Sequence, residues 1–304
     1  MAVALRFGVA PDALLGHGDE AWVYGLDDDR VLRILRDGGR KTDVLRRSAL
    51  VAELALSQPV FRLPEVLDVG EVEGRTYAVE RRLPGRSMLE QLGRIEGPAR
   101  ERLIEAYLDT SASLGDLHLP ARAGFGDLIA DDAIVAPTWR AYLRDRAAWN
   151  LARSTPGLRR VDPAAIADGL PDISTPRFVH LDAFPGNFLT DGTRITAVID
   201  IGDSSLAGDR RLDPIASAVY LSDPYLTPTA TARDVDVALA WLRTNGLAEL
   251  LEPGRRWLAA YWSFEADNPE AMAWCSEVLL PSPSGGTLAR QRDGAATTES
   301  GHAL

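Results

Sequence analysis

Cysteine is nearly absent from this chain. The single thiol, Cys275, stands among Met272, Trp274 and Leu279. That excludes an internal disulfide framework, suits a reducing compartment, and reads as buried apolar filling rather than a nucleophile. Positive charge is also short: 33 Lys and Arg face 44 Asp and Glu, a formal charge of −11. Such a balance repels phosphate backbones and argues against nucleic acid as a partner. It favours cationic ligands, although acidity of this size also serves plain solubility. No apolar segment approaches bilayer length, so no membrane partner is expected. Between Met1 and Leu15 no basic stretch precedes an apolar run, so no secretory leader is expected and the cytoplasm is the expected location. What is present is ordinary: 46% hydrophobic and 25% charged residues over 304 positions, enough for one large or two modest domains with real cores.

The first part reads as short strands joined by turns. Residues 21–26 and 31–35 alternate as strands around Asp27-Asp28-Asp29. Residues 41–58 carry Val44, Leu45, Ala49, Ala52 and Leu56 near helical spacing, and Pro59 ends the run. Residues 65–69 and 75–80 are strands again, before Leu83-Pro84-Gly85 breaks the chain. This predicts a small sheet with one packed helix over residues 1–83.

Beyond the break the pattern is helical over 99–119 and 138–152, where Trp139, Tyr142, Leu143 and Trp149 read as core. Strands return at 178–181, 188–190 and 195–201. Helices follow at 212–221, 232–251 and 252–280, the last broken near Asn268-Pro269. Residues 84–281 thus form a larger, mainly helical lobe. Residues 282–304, rich in Ser, Gly, Thr and Ala, read as a disordered tail.

The chemistry concentrates in His180-Leu181-Asp182-Ala183-Phe184-Pro185-Gly186-Asn187, followed by Val198-Ile199-Asp200-Ile201-Gly202-Asp203. An Asp, an Asn five positions on, and a second Asp after a strand are what phosphoryl transfer from ATP asks for. One carboxylate takes or steers the proton of the attacking hydroxyl. An amide oxygen and another carboxylate hold Mg²⁺ against the phosphates. Asp182 fits the first role, Asn187 and Asp200 the second. Each piece alone occurs by chance in many chains; the ordered conjunction carries the reading.

These segments resemble the catalytic and metal-binding loops of the protein-kinase-like superfamily, and more specifically the aminoglycoside phosphotransferase family. Ile195-Thr196-Ala197-Val198-Ile199-Asp200, Leu63-Pro64-Glu65-Val66-Leu67-Asp68-Val69-Gly70 and Gly124-Phe125-Gly126 are similar to its hygromycin B phosphotransferase branch. The likeness runs from about Leu15 to about Leu221. It implies an α+β, two-lobed kinase-like fold with a small antiparallel-sheet lobe and a larger helical one.

By the same resemblance, Gly16 and Gly18 let backbone amides approach the ATP phosphates. Arg33 takes the strand position of a phosphate-pairing Lys, a role its forked guanidinium fits. The helix that normally offers that cation a Glu has Ser48 near the expected place, leaving Glu53 as the acid that would pair with Arg33 if such a pair exists. Val79, Arg81 and Arg82 fall in the linker whose backbone would meet the adenine. His180 is expected to buttress the catalytic loop, and Asp213 to anchor that loop or cap a helix. Leu181 replaces the Arg of phosphorylation-switched protein kinases, and there is no room for an activation loop between Asp200 and Asp213. Both departures imply a small-molecule kinase.

For the acceptor, Asp203, Glu265 and Asp267 are candidates beside Tyr261, Trp262 and Phe264, since carboxylates next to aromatic rings suit a polyamine sugar. The leading expectation is ATP-dependent phosphorylation of a hydroxyl on an aminoglycoside-type antibiotic, giving resistance, by a monomer or dimer. A kinase of an amino alcohol or sugar, and a nucleotide-binding pseudokinase, are the alternatives.

Overall fold

Short apolar stretches separated by turns build a five-stranded antiparallel sheet at the N-terminal end. Its strands are β1 (Leu14–His17), β2 (Ala21–Gly25), β3 (Arg30–Leu35), β4 (Val66–Val72) and β5 (Arg75–Arg81), in the order β1-β2-β3-β5-β4. The computed structural model describes residues 2–17, 20–36 and 39–280. Gly18 and the tail expected to lack order lie outside the described residues.

Alternation along the strands decides which side chain faces where. Leu32 and Ile34 of β3, with Tyr77 and Val79 of β5, pack on Val3 from a short helix α1 (Ala2–Arg6). On the other face Leu35 and Ala78 pack on Val44 of α2 (Lys41–Ala55). Register pairs Arg33 with Ala78, so Arg33 stands on the α2 face. The sheet therefore carries two helices where the sequence reading gave one. Five residues are too few to show helical periodicity, which is why α1 escaped it.

α2 is not confined to the small sheet. Its Leu50, Val51 and Leu54, with Phe61 beyond it, enter the same buried cluster as Leu103, Tyr107, Phe178 and Phe188 of the larger lobe. The linker after α2 adds backbone bonds, with Arg62 N–H donating to Thr196 O and Val198 N–H to Arg62 O. The two lobes thus share a helix as well as a chain crossing.

After β5 the chain pairs with the other lobe through β6 (Arg86–Ser87), followed by α3 (Met88–Leu92) and α4 (Gly97–Ser113). Then come β7 (Phe125–Asp127), β8 (Val135–Ala136), α5 (Trp139–Arg153) and α6 (Pro163–Asp168). β9 (Arg177–Val179), β10 (Phe188–Thr190), β11 (Ile195–Val198) and β12 (Leu206–Gly208) form two small sheets, β8-β7-β12-β9 and β11-β10-β6. Four helices close the lobe: α7 (Leu212–Ser222), α8 (Ala232–Thr244), α9 (Leu251–Trp262) and α10 (Pro269–Leu279).

Polar caps set several helix starts. Thr138 caps α5, Thr231 and Asp234 form a capping box on α8, and Asn268 caps α10 ahead of Pro269. The expected helix 232–251 instead stops at Thr244. Gly246 takes φ +69° and Leu247 N–H returns to Leu242 O, a glycine stop signal that the apolar spacing had overridden. Trp139, Tyr142, Trp257 and Tyr261 pack ring against ring in the core of this lobe, as expected for Trp139 and Tyr142, whereas Trp149, expected there too, is exposed. Cys275 is fully buried beside them, and burial pushes its thiol up to about 12.

Candidate active site

β9 delivers the chain to His180, and the backbone then passes through a left-handed residue, Leu181, with φ +66°. A branched side chain in that region is strained and persists only where its surroundings fix it. The buried Asp213 carboxylate, in the first turn of α7, accepts N–H bonds from His180 at 3.0 Å and Leu181 at 2.8 Å. Tyr107 and Ser217 both donate to Ala183 O, and Tyr220 donates to Leu181 O. Asp213 is thus the loop anchor anticipated for it.

These bonds present Asp182 at the cleft. Asn187 Nδ2 donates to Asp182 Oδ2 and to its backbone carbonyl, both at 3.0 Å, which leaves the amide oxygen of Asn187 as an available ligand. A second loop is stitched to the first. Ile199 N–H donates to Asn187 O at 2.8 Å, and His180 Nε2 donates to Ile199 O at 2.9 Å. Asp200 follows at φ +61°. Burial pushes the Asp182 carboxyl up to about 6; the negative charges of Asp200 and Glu265 add to this, while His180 and the Asn187 hydrogen bond oppose it. Asp182, Asn187 and Asp200 therefore converge, and Glu265 is near enough to be felt.

The small lobe closes the cleft with cations. Arg33 Nη2 lies 3.8 Å from Asp200 Oδ1 and 3.3 Å from Glu20 Oε2. Arg47 of α2 also grips Glu20, at 2.5 and 3.0 Å, and lies 3.6 Å from Asp203 Oδ1. Glu80, at the end of β5, has its carboxyl raised by burial, opposed by Arg33 and Arg47. Glu20, Arg47 and Glu80 were absent from the sequence reading. The acid expected near Ser48 is replaced by a neighbouring base, Arg47. The acid sits instead on the loop before β2, a swap that spacing along one helix does not reveal.

Glu53 is a correction: its carboxylate lies 4.0 Å from His118 Nε2, and Arg33 pairs with Glu20 and Asp200 instead. On α2, position 53 is about one and two-thirds turns beyond Arg47, which points it elsewhere. Gly16 lies in β1, where an added Cβ would meet none of the described residues within 4 Å; Gly18 lies outside the described residues. In the linker the N–H groups of Arg81 and Arg82 donate to Glu65 O and Asp29 O. Both N–H groups are thereby engaged, and the Arg81 side chain turns to Glu65. Val79 faces α1 rather than the cleft. Glu265 accepts from Asn268 at 3.2 Å, next to a half-exposed Phe264. Asp267 is exposed. Two surface hollows, one lined by His118, Arg122 and Arg177 and one by Arg177, Asp209 and Arg211, lie apart from the cleft.

With this geometry in hand, comparison is informative. The model of the phosphotransferase enzyme family (APH) matches residues 14–274. The chain belongs to this phosphotransferase family. The family match runs well past Leu221, where the resemblance read from sequence ended. Hygromycin-B 4-O-kinase of Escherichia coli is 28% identical over 226 residues, which cover 70% of this chain and 62% of that protein. The chain therefore spans less than two thirds of that relative's length. ADP-bound aminoglycoside phosphotransferase APH(2'')-Ib superposes with a TM-score of 0.60 at 14% identity, over 91% of this chain and 95% of its own. The streptomycin–ATP ternary complex of APH(2'')-IIa gives 0.58 at 15% identity, over 91% and 93%. These likenesses establish the fold, the two-lobed kinase-like arrangement of aminoglycoside phosphotransferases.

Proposed function

We propose that this phosphotransferase moves the γ-phosphoryl group of ATP to a hydroxyl of a small, cationic, polyhydroxylated acceptor, with an aminoglycoside-type antibiotic of the hygromycin kind as the first candidate. The observation that carries the reading is the junction of two loops at which Asp182, Asn187 and Asp200 meet beneath Arg33. Residues 1–83 would hold the nucleotide and residues 84–281 the catalytic loop and acceptor.

Asp182 accepts or steers the proton of the acceptor hydroxyl; a carboxyl raised toward neutrality is better matched to that work than an ordinary Asp. Asn187, with its free amide oxygen, and the half-exposed Asp200 are oxygen donors of the kind Mg²⁺ takes. When bound, the ion neutralises the phosphates. Arg33 pairs with phosphate oxygens, and the space that the described residues leave open beside Gly16 lets the polyphosphate approach the loop backbone. Glu265, with Phe264, gives the acceptor end negative charge and an apolar face, and Asp203 adds negative charge on the α2 side, 3.6 Å from Arg47. The Escherichia coli relative, a hygromycin-B 4-O-kinase, and the streptomycin–ATP complex of a protein with this fold agree with such an acceptor.

The test is mass spectrometry of aminoglycoside mixtures, hygromycin B included, incubated with the protein, ATP and Mg²⁺. The expected result is one antibiotic gaining a single phosphoryl group with matching ADP. Turnover of choline-like amino alcohols or simple sugars alone would overturn the antibiotic assignment.

A further inference from the structure

Two arginines from different elements meet on one carboxylate. Glu20 Oε2 lies 3.3 Å from Arg33 Nη2 and 2.5 Å from Arg47 Nη1, while Glu20 Oε1 accepts from Arg47 Nη2 at 3.0 Å. Arg47 also rests against Gly202, where an added Cβ would lie 3.5 Å from its guanidinium carbon. Both cations thus border the loop that carries Asp200. Their side chains are mostly buried, 22% and 25% exposed, whereas Glu20 is 55% exposed.

The elements differ in how firmly they are held. α2 is pinned by Val44 under the sheet, by Leu50, Val51 and Leu54 in the larger lobe, and by Arg40 and Arg46, which both pair with Asp131 across the cleft. Glu20 sits on a loop between two hairpin strands. The Glu20 backbone is tied to the sheet, its carbonyl accepting from Arg36 N–H at 2.8 Å, so it is the exposed carboxylate, against two mostly buried guanidiniums, that is the half able to swing away.

We infer that Arg47 is a second polyphosphate-gripping residue beside Arg33, and that Glu20 is a displaceable counter-ion that holds this two-arginine clamp until a nucleotide takes its place. A carboxylate and a phosphate offer a guanidinium the same forked pair of acceptors. One can replace the other, and a carboxylate left in place would repel the incoming phosphates. The inference rests on the phosphotransferase reading and adds to it a cation supplied by α2.

Calorimetric binding of ATP, inorganic tripolyphosphate and adenosine to the full chain and its variants tests this. Glu20→Gln is expected to tighten ATP and tripolyphosphate roughly two- to fivefold, the size of half-exposed ion pairs being released, and to leave adenosine unchanged. Arg47→Gln is expected to weaken both phosphate ligands by about tenfold or more, with Arg47→Lys between. In the Arg47→Gln background the gain from Glu20→Gln should shrink, because the counter-ion then has one cation fewer to block. Weaker tripolyphosphate binding by Glu20→Gln, or unchanged binding by Arg47→Gln, would overturn the clamp while leaving the phosphotransferase reading intact. Failure of the unmodified protein to bind ATP would overturn that reading and the clamp with it.

Discussion

Asp182 is crowded by negative charge. Its carboxyl is raised by burial, with Asp200 and Glu265 adding to the shift, so its titration reports how near those residues stand. In the metal-free protein, carbon-detected NMR should find Asp182 titrating near 6 rather than in the usual Asp range. Asp200→Asn removes a like charge and should lower that value; an unchanged titration would separate the two loops. Asp182 and its partners were legible in the sequence because their spacing along two short segments reflects the chemistry directly. Glu53 was misread for the converse reason. A helix position was sought for an acid that the fold supplies from the loop before β2, and only side-chain placement shows Glu20 between Arg33 and Arg47.

Among the elements, apolar periodicity placed three long helices, α2, α5 and α7, within about three positions, whereas α4 ends at Ser113 and α8 at Thr244, well short of the expected 119 and 251. The errors cluster at ends set by backbone geometry: α2 stops at Ala55, ahead of Pro59, and α8 stops at the Gly246 turn. Short pieces such as α1 and α3 hold too few residues for a period to register. Nor did periodicity reveal that α2 serves two lobes, since Val44 and Leu54 look equally apolar in the sequence. Their different destinations yield a test. Leu54 is fully buried in the cluster of the larger lobe, so Leu54→Ala should cost about 2–5 kcal/mol. Urea unfolding should remain a single transition, because the helix ties the lobes together. A separate early unfolding step for the small sheet would contradict that tie.

Across the whole molecule, the excess of acid read from composition takes on a location. Asp182, Asp200, Asp203, Glu265, Glu20 and Glu80 gather at the cleft, against Arg33 and Arg47. On the proposed function this acidic rim would attract a cationic acceptor and the arginines would keep a place for the polyphosphate. The two-lobed arrangement was foreseeable from the order of strands, breaker and helices. The extent of the joint between lobes was not, because it depends on contacts far apart in the chain.

The most direct measurement compares the unmodified protein with Asp182→Asn in paired assays, one for binding of ATP with Mg²⁺ and one for phosphoryl transfer to the acceptor. On the proposed function the nucleotide would rest on Arg33, Asn187 and Asp200, so binding should survive within a fewfold while transfer should fall by about a hundredfold or more. Transfer at nearly the unmodified rate by Asp182→Asn would contradict the account at its centre.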